Sequence, residues 1–341
     1  MTVRILLLVF VPIALAAGAL AVVSSRISAQ AAMDHPARGA FVEVTGGRLH
    51  YRERRPASER AGTVVLVHGA SAAHADLFAT LGPELARYRV VALDRPGHGW
   101  SDRLAGDAMA DPGRQAAAVM QALDRLSPEP FVLVAHSLGG ALSTRIALDR
   151  PERLRGLVLL GAVTHPWPGG IAWYHHLASW PMVGRAFTWI AGVPLARLLL
   201  DDGVASVFAP QSRPPDYRGV AELGLLLRPE TFRANSADIA ATHAFVSAQA
   251  PRYRELTVPV VAISGDSDTI VSPAIHSAAI AREAPQGRLV LLPGVGHMPH
   301  HAAPEIVAEA VDALTGPRSG LALNEASDRG PVTPSGRAPA R

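Results

Sequence analysis

The chain has 341 residues, 49% hydrophobic and 18% charged, enough for one large domain or two small ones around a sizeable core. It contains no cysteine and all 32 basic residues are arginine. Disulfides, cysteine-ligated metals, a cysteine nucleophile, a P-loop lysine and Schiff-base or pyridoxal phosphate chemistry are therefore excluded. The formal net charge is only +3 and no arginine stripe interleaves with aromatic residues, which argues against a nucleic-acid partner.

From the N-terminus, Ile5 to Ser25 is uncharged and mostly apolar. As a helix this run spans about 30 Å, the thickness of a bilayer core. A signal-peptide core is usually about 7–15 residues, so the length favours a membrane anchor over a cleaved signal. Ala29-Gln30-Ala31 has the small-residue spacing of a cleavage site, so residues 1–30 read as an anchor or signal segment. A buried helix of the globular domain is the weaker alternative, because the run lies at the extreme N-terminus. Arg4 flanks one side, Arg26 and Arg38 the other. The expected arrangement is membrane attachment through this segment, with the globular part on the extracytoplasmic side.

Next, Phe41–Thr45 and Arg48–Arg52 alternate in polarity around Gly46-Gly47 and predict a β-hairpin. Short apolar runs then recur at Thr63–Val67, Val90–Leu93, Phe131–Ala135, Leu157–Leu160, Val260–Ser264 and Leu289–Leu292. Several are continuous in Val and Leu, as strands buried on both faces are. Helical patterns separate most of them: Leu77–Ala86, Gly113–Leu126, Ala141–Asp149, Pro273–Glu283 and Pro304–Leu314. Strands alternating with helices predict an α/β fold, a mostly parallel sheet flanked by helices.

That rhythm breaks between Val163 and Glu255, a block that holds four of the five Trp (Trp167, Trp173, Trp180, Trp189) and is punctuated by Pro. It reads as a helical cap inserted after a strand, over the sheet edge where ligands bind in open α/β sheets. The expected organisation is a core in two parts, residues 38–162 and 256–315, with the cap at 163–255 between them. Residues 316–341 are rich in Gly, Pro, Ser and Arg and read as a disordered tail.

The chemistry concentrates at predicted strand exits. Ala135-His136-Ser137-Leu138-Gly139-Gly140 joins a strand to a helix with a serine at the apex, a turn that projects the hydroxyl and aims a helix N-terminus near it. The usual form is G-x-S-x-G; here Ala135 replaces the first glycine. A serine needs a base, a group that orients the base, and donors for the oxyanion. His297, in Gly294-Val295-Gly296-His297 after the last strand, is the candidate base. The orienting acid comes from Gly265-Asp266-Ser267-Asp268, where position alone leaves Asp266 and Asp268 nearly equal. The backbone amides of Ala70, in His68-Gly69-Ala70-Ser71, and of Leu138 are the candidate oxyanion donors. His297, His300 and His301 lack the carboxylate and spacing of a zinc helix motif, and Gly294-Val295-Gly296 is not a dinucleotide fingerprint, so no metal and no cofactor are expected.

These pieces, with Asp94-Arg95-Pro96-Gly97-His98-Gly99-Trp100-Ser101-Asp102, occur in the order seen in the α/β-hydrolase superfamily, which the chain resembles over about residues 41–315. The likeness is to the branch of serine esterases, C–C bond hydrolases and perhydrolases. It implies Asp268 as the acid and makes the Asp94–Gly99 segment a structural turn beside the pocket. Ser137 sits where epoxide hydrolases and haloalkane dehalogenases of this fold carry Asp, which disfavours those activities. The resemblance implies a serine hydrolase with the triad Ser137, Asp268 and His297 and an apolar small-molecule acyl substrate. C–C hydrolysis or perhydrolysis on the same triad is the nearest alternative, and a non-catalytic small-ligand receptor is the alternative of another class. The sequence does not set the oligomeric state.

Overall fold

The computed structural model of the protein describes residues 2–56 and 61–316; the tail expected at 316–341 lies outside them but for Gly316. Eight strands form one sheet in the order β1-β2-β4-β3-β5-β6-β7-β8. The hairpin of β1 (Ala40–Val44) and β2 (Gly47–Arg54) turns at Thr45-Gly46, one residue before the expected Gly46-Gly47, because Gly47 already pairs with Val44; β2 pairs antiparallel with β4 (Arg89–Leu93). The remaining strands run parallel: β3 (Thr63–Val67), β5 (Phe131–His136), β6 (Leu154–Leu160), β7 (Val260–Gly265) and β8 (Gly287–Leu292). Helices cover both faces of the parallel strands. Side chains of β3 and β5 therefore alternate between two apolar clusters, Val65 and Leu133 in one, Val64 and Val132 in the other. This is the α/β architecture that the alternation of apolar runs predicts.

The helices are α1 (Thr2–Asp34), α2 (His74–Leu81), α3 (Pro112–Leu126), α4 (Gly139–Asp149), α5 (Trp173–Ser179), α6 (Pro181–Phe187), α7 (Val193–Phe208), α8 (Tyr217–Val220), α9 (Pro229–Gln249), α10 (Ser277–Glu283), α11 (Pro299–Ala302) and α12 (Pro304–Thr315). Local chemistry sets several ends. Asp111 caps α3 by accepting the Arg114 amide at 2.8 Å, with Pro112 in the first turn. Two predicted helices are shorter than expected. α2 stops at Leu81 because Pro83 brings no amide to continue the ladder. α10 begins at Ser277 because residues 273–276 form a turn whose His276 Nδ1 accepts the amides of Thr164 and His165 at 3.2 and 3.1 Å.

Helices α5 to α9 sit above the ends of β5 to β8 and share an apolar cluster of their own, including Val193, Val204, Phe208, Leu223 and Phe232. A π-helical turn, Thr188–Gly192, joins α6 to α7.

The two ends of α1 behave differently. Phe10, Val11, Ile13, Leu15, Leu20, Val22 and Val23 are all exposed, so the alternative of a helix buried in the globular domain does not describe this stretch. From Ser24 onward the helix docks on the cap. Ser24 is fully buried and donates to the Trp189 carbonyl at 2.6 Å; Ala31 is buried, and Ile27 packs against the cap's apolar cluster. Just beyond the helix, the His35 carbonyl accepts the Trp100 indole at 3.0 Å.

Candidate active site

Three strand exits converge under the cap. Ser137 follows β5 with φ +50°, the left-handed region that a non-glycine residue adopts only when its surroundings hold it there. The surroundings are on both sides: the Ser137 amide donates to Leu160 O at 3.0 Å, and its carbonyl accepts the amides of Val163 and Gly140, each at 2.9 Å. A Cβ on Gly69 would lie 2.8 Å from the Ser137 Cβ, so the loop after β3 approaches the serine only because that position is bare. Ala135, where the usual motif has glycine, is fully buried within β5.

His297 bridges Ser137 and Asp268. Its Nε2 lies 3.0 Å from Ser137 Oγ and its Nδ1 lies 2.8 Å from Asp268 Oδ2. The other oxygen of Asp268 accepts the amides of Ile270 and Val271 at 2.8 and 2.9 Å, which fixes the carboxylate plane. Asp266 does different work. It is exposed and accepts the Gly294 amide at 2.8 Å, tying the acid loop to the histidine loop. Geometry thus separates the two acids that position along the chain leaves level. Ser137, Asp268 and His297 are 9%, 5% and 4% exposed, buried yet open to the cavity above them.

The amides of Ala70 and Leu138 donate no hydrogen bond within the protein among the described residues. The Gly69 carbonyl accepts His68 Nδ1 at 2.8 Å and an Arg95 guanidinium nitrogen at 3.2 Å. A trans peptide sends its N–H opposite to its C=O, so this grip turns the Ala70 amide away from Arg95. Burial, then the neighbouring Arg95, pushes the His68 imidazole down to about 3. It is therefore neutral, and its Nε2 accepts the Arg95 amide at 3.0 Å while Nδ1–H donates. Ala70 lines the cavity; Leu138 lies beside Ser137 at the N-cap of α4 and is not part of the lining.

Several partners of this site are not legible in the motifs. Arg95, fully buried, pairs with Asp238 of α9 at 2.9 Å, and Arg103 reaches the same carboxylate at 2.8 Å. Asn235, one turn earlier on α9, accepts the Ser71 amide at 2.7 Å and donates to Ser71 Oγ at 3.1 Å. Cap helix α9 therefore grips the loop that carries Ala70 at two points. In sequence the two are an i, i+3 pair within a mixed polar and apolar helix, and nothing there marks them out from Arg233 or Ser236 beside them. His136, the residue before the serine, donates from Nε2 to the His297 carbonyl at 3.0 Å; burial holds it neutral, well below the usual imidazole range.

Among the described residues two groups have metal-ligand composition: His50, His74 and Asp94, and Asp76, His300 and His301. In both, hydrogen bonds already occupy the carboxylate. Asp94 accepts His50 Nδ1 at 2.8 Å and His74 Nδ1 at 3.0 Å. Asp76 accepts His301 Nε2 at 2.8 Å and His300 Nε2 at 3.1 Å. Burial alone would raise the Asp76 carboxyl, but these two imidazoles hold it well below the carboxylate range. Ionised Asp76 also lines the cavity; the Thr80 hydroxyl lies 3.4 Å from the same His301 Nε2 that meets the carboxylate, so this imidazole does not relay between acid and hydroxyl through two nitrogens as His297 does. The cavity itself, about 440 Å³, is walled mainly by apolar cap residues, among them Phe187, Leu199, Leu200, Val204 and Leu223.

A strand-exit serine bonded to a histidine from the last loop, on a sheet of this order, matches a known family. The sequence model of the α/β hydrolase fold matches residues 62–304, and the chain belongs to that family. It is 28% identical to a pimeloyl-acyl-carrier-protein methyl ester esterase of Nitrosomonas europaea over 74% of this chain and 94% of that protein. It is 32% identical to a 2-hydroxy-6-oxo-6-phenylhexa-2,4-dienoate hydrolase of Comamonas testosteroni, over 40% of this chain and 45% of that one. Two further curated relatives are matched over 32% and 44% of their own lengths. The crystal structure of a membrane phospholipase A superposes with a TM-score of 0.62 over 92% of this chain and 98% of that one, at 21% identity. At that identity the likeness is one of fold.

Proposed function

We propose that the protein is a membrane-anchored serine hydrolase that cleaves an ester or related acyl bond through an acyl-enzyme. The observation that carries this reading is the hydrogen-bonded chain Ser137–His297–Asp268 at the floor of an apolar cavity. His297 Nε2 takes the Ser137 proton as Oγ attacks the acyl carbon. Asp268 keeps the Nδ1 proton in place and stabilises the imidazolium. The amides of Ala70 and Leu138 receive the oxyanion, each worth on the order of 3 kcal/mol in the barrier. His297 then protonates the leaving alcohol. Water, deprotonated by His297, attacks the acyl-enzyme and frees the acid. The scheme uses protein groups and water alone. In this reading residues 38–162 and 256–315 carry the chemistry, and the cap at 163–255 shapes the pocket for an apolar acyl chain.

Anchoring is supported by α1. Its apolar stretch is exposed, as a lipid-embedded helix would be, and Ser24 to Asp34 is part of the cap's packing. Cleavage after Ala31 would remove the Ser24–Trp189 bond.

A fluorophosphonate probe tests the nucleophile. Labelling is expected in the wild type and absent in Ser137→Ala; labelling that persists would mean another serine reacts. A chain-length series of p-nitrophenyl esters tests the pocket, with preference expected for long chains and preference for acetate counting against it.

A further inference from the structure

The cap leaves an apolar face unpartnered. Trp173, Trp180, Met182, Val183 and Leu198 are 54% to 85% exposed, on α5, α6, the residue between them and the first turns of α7. Soluble surfaces rarely gather so many large apolar side chains in one place. The face is continuous with α1. That helix packs on α7 and on the π-helical turn, and Ser24 holds the Trp189 carbonyl. Trp189 in turn shares a groove with Met182. Ser24 lies next to the end of the uncharged stretch of α1 at Ser25, so the cap meets α1 at the level where the helix would leave a bilayer.

The cavity reaches this same face. Leu195, Leu199, Gly203 and Ser206 recur at helical spacing along α7, and all four are exposed and line the cavity, which places them at its mouth. The cavity therefore opens along one side of α7, and the N-terminal half of that side is leucine. Arg26 and Arg197 stand exposed on α1 and α7 without an ion-pair partner among the described residues, and Arg185 stands exposed on α6 with Asp107 in electrostatic reach. Cations beside exposed apolar side chains are the pattern of a surface that sits at the headgroup level of an anionic bilayer. Farther along α7 the surface turns polar: Asp201 pairs with Arg213 and Arg218. That end would face water.

We infer that the exposed apolar face of α5 to α7 lies in the outer layer of the bilayer that holds α1, and that the cavity draws its substrate, a long-chain acyl ester, from that lipid. This rests on the hydrolase reading for the substrate's bond but not for the docking. Aromatic and leucine side chains at the interface would displace lipid around the mouth, so an ester could pass from membrane to cavity without crossing water.

The test uses the full chain in vesicles of phosphatidylcholine and phosphatidylglycerol. No tryptophan lies in α1 and four of the five lie in the cap, so quenching of their fluorescence by bromine-labelled lipid reports mainly on the cap, and Trp100→Phe removes the core's contribution. Quenching is expected in the wild type and should be largely lost in Trp173→Phe/Trp180→Phe. Leu198→Glu and Met182→Glu should keep wild-type turnover of soluble p-nitrophenyl butyrate. On a pyrene-labelled diacylglycerol dispersed in the vesicles they should lose roughly tenfold or more. Unquenched tryptophans, or equal loss on both substrates, would overturn the inference. So would a wild-type dimer that Leu198→Glu dissociates, since the face would then belong to a second copy. Absence of turnover in the wild type on both the soluble ester and the vesicle-borne one, with quenching intact, would instead count against the hydrolase reading and leave the docking standing.

Discussion

The sheet and the cap treat their apolar residues in opposite ways. Along β3 to β7, residues such as Val64, Val91, Leu133, Val158 and Ile263 show no exposed surface, closed in by helices on both faces. In the cap, Val193 and Phe208 are buried while Met182 and Leu198 stay 85% and 78% exposed. The core is complete as protein; the cap spends one apolar side on its cavity and leaves another open. The two are joined by polar contacts through α9, where Asp238 holds Arg95 and Asn235 holds Ser71. All three side chains proposed for catalysis come from core loops, and the cap contributes shape and the grip on the loop after β3.

The largest effect expected is on turnover. Ser137→Ala should lower kcat/KM by roughly 10⁴-fold or more while leaving the melting temperature close to wild type. Activity that survived would break the division of labour between core and cap. Next comes Arg95→Met, which leaves Asp238 buried against Arg103 alone; loss of one partner of a buried pair costs about 3–5 kcal/mol. Urea unfolding should show it, whereas Leu198→Glu on the open face should change stability by no more than about 0.5 kcal/mol.

Acid should act mainly on the core and its seam with the cap. Burial, then neighbouring cations, holds His68 at about 3, and burial holds His276 at about 4, against an ordinary 6.5. Both values are lowered on folding, so the unfolded chain binds more protons below pH 6.5. Their contribution is whole above pH 6.5 and is lost as pH falls through that window towards 4. Thermal melting between pH 7 and pH 4.5 should decline steadily; a flat profile would mean these imidazoles are not held neutral. Asn235→Ala should cut kcat about tenfold with KM little changed, the value of one hydrogen bond to a positioning loop. Among the contacts removed, the smallest effect is that of Ser24→Ala, which takes away a single bond between α1 and the cap and should lower stability by about 1 kcal/mol by urea unfolding, more than Leu198→Glu on the open face.

Much of the core is legible because its signals are local. Runs of Val and Leu mark the parallel strands, Gly46-Gly47 marks the hairpin, and Ser137 announces itself by the residues on either side. The pairing of His297 with Asp268 rather than Asp266 is settled by which oxygen the fold brings near Nδ1, and sequence spacing does not encode that distance. The roles of Arg95 and Asp238 are harder still. They lie 143 positions apart, and a lone Asp in a helical region reads as surface. The docking of Ser24 and Ala31 is hidden for a similar reason: small residues at the end of an apolar run carry no sign of the cap residues they meet. The π-helical turn between α6 and α7 breaks the helical period, so the cap's inner and outer faces cannot be sorted by counting residues.

The hold of Asn235 on Ser71 bears on how such enzymes diversify. A cap that merely roofed the pocket could be exchanged between relatives like a fitting. Here the cap helix carries the acceptor for an amide next to a proposed oxyanion donor, 164 residues away along the chain. A chimera that imports a foreign cap would inherit an unclamped loop unless it retained this asparagine. Recombination between members of the family should therefore favour breakpoints that keep α9 with the segment from His68 to Ser71, treating the two as one heritable unit.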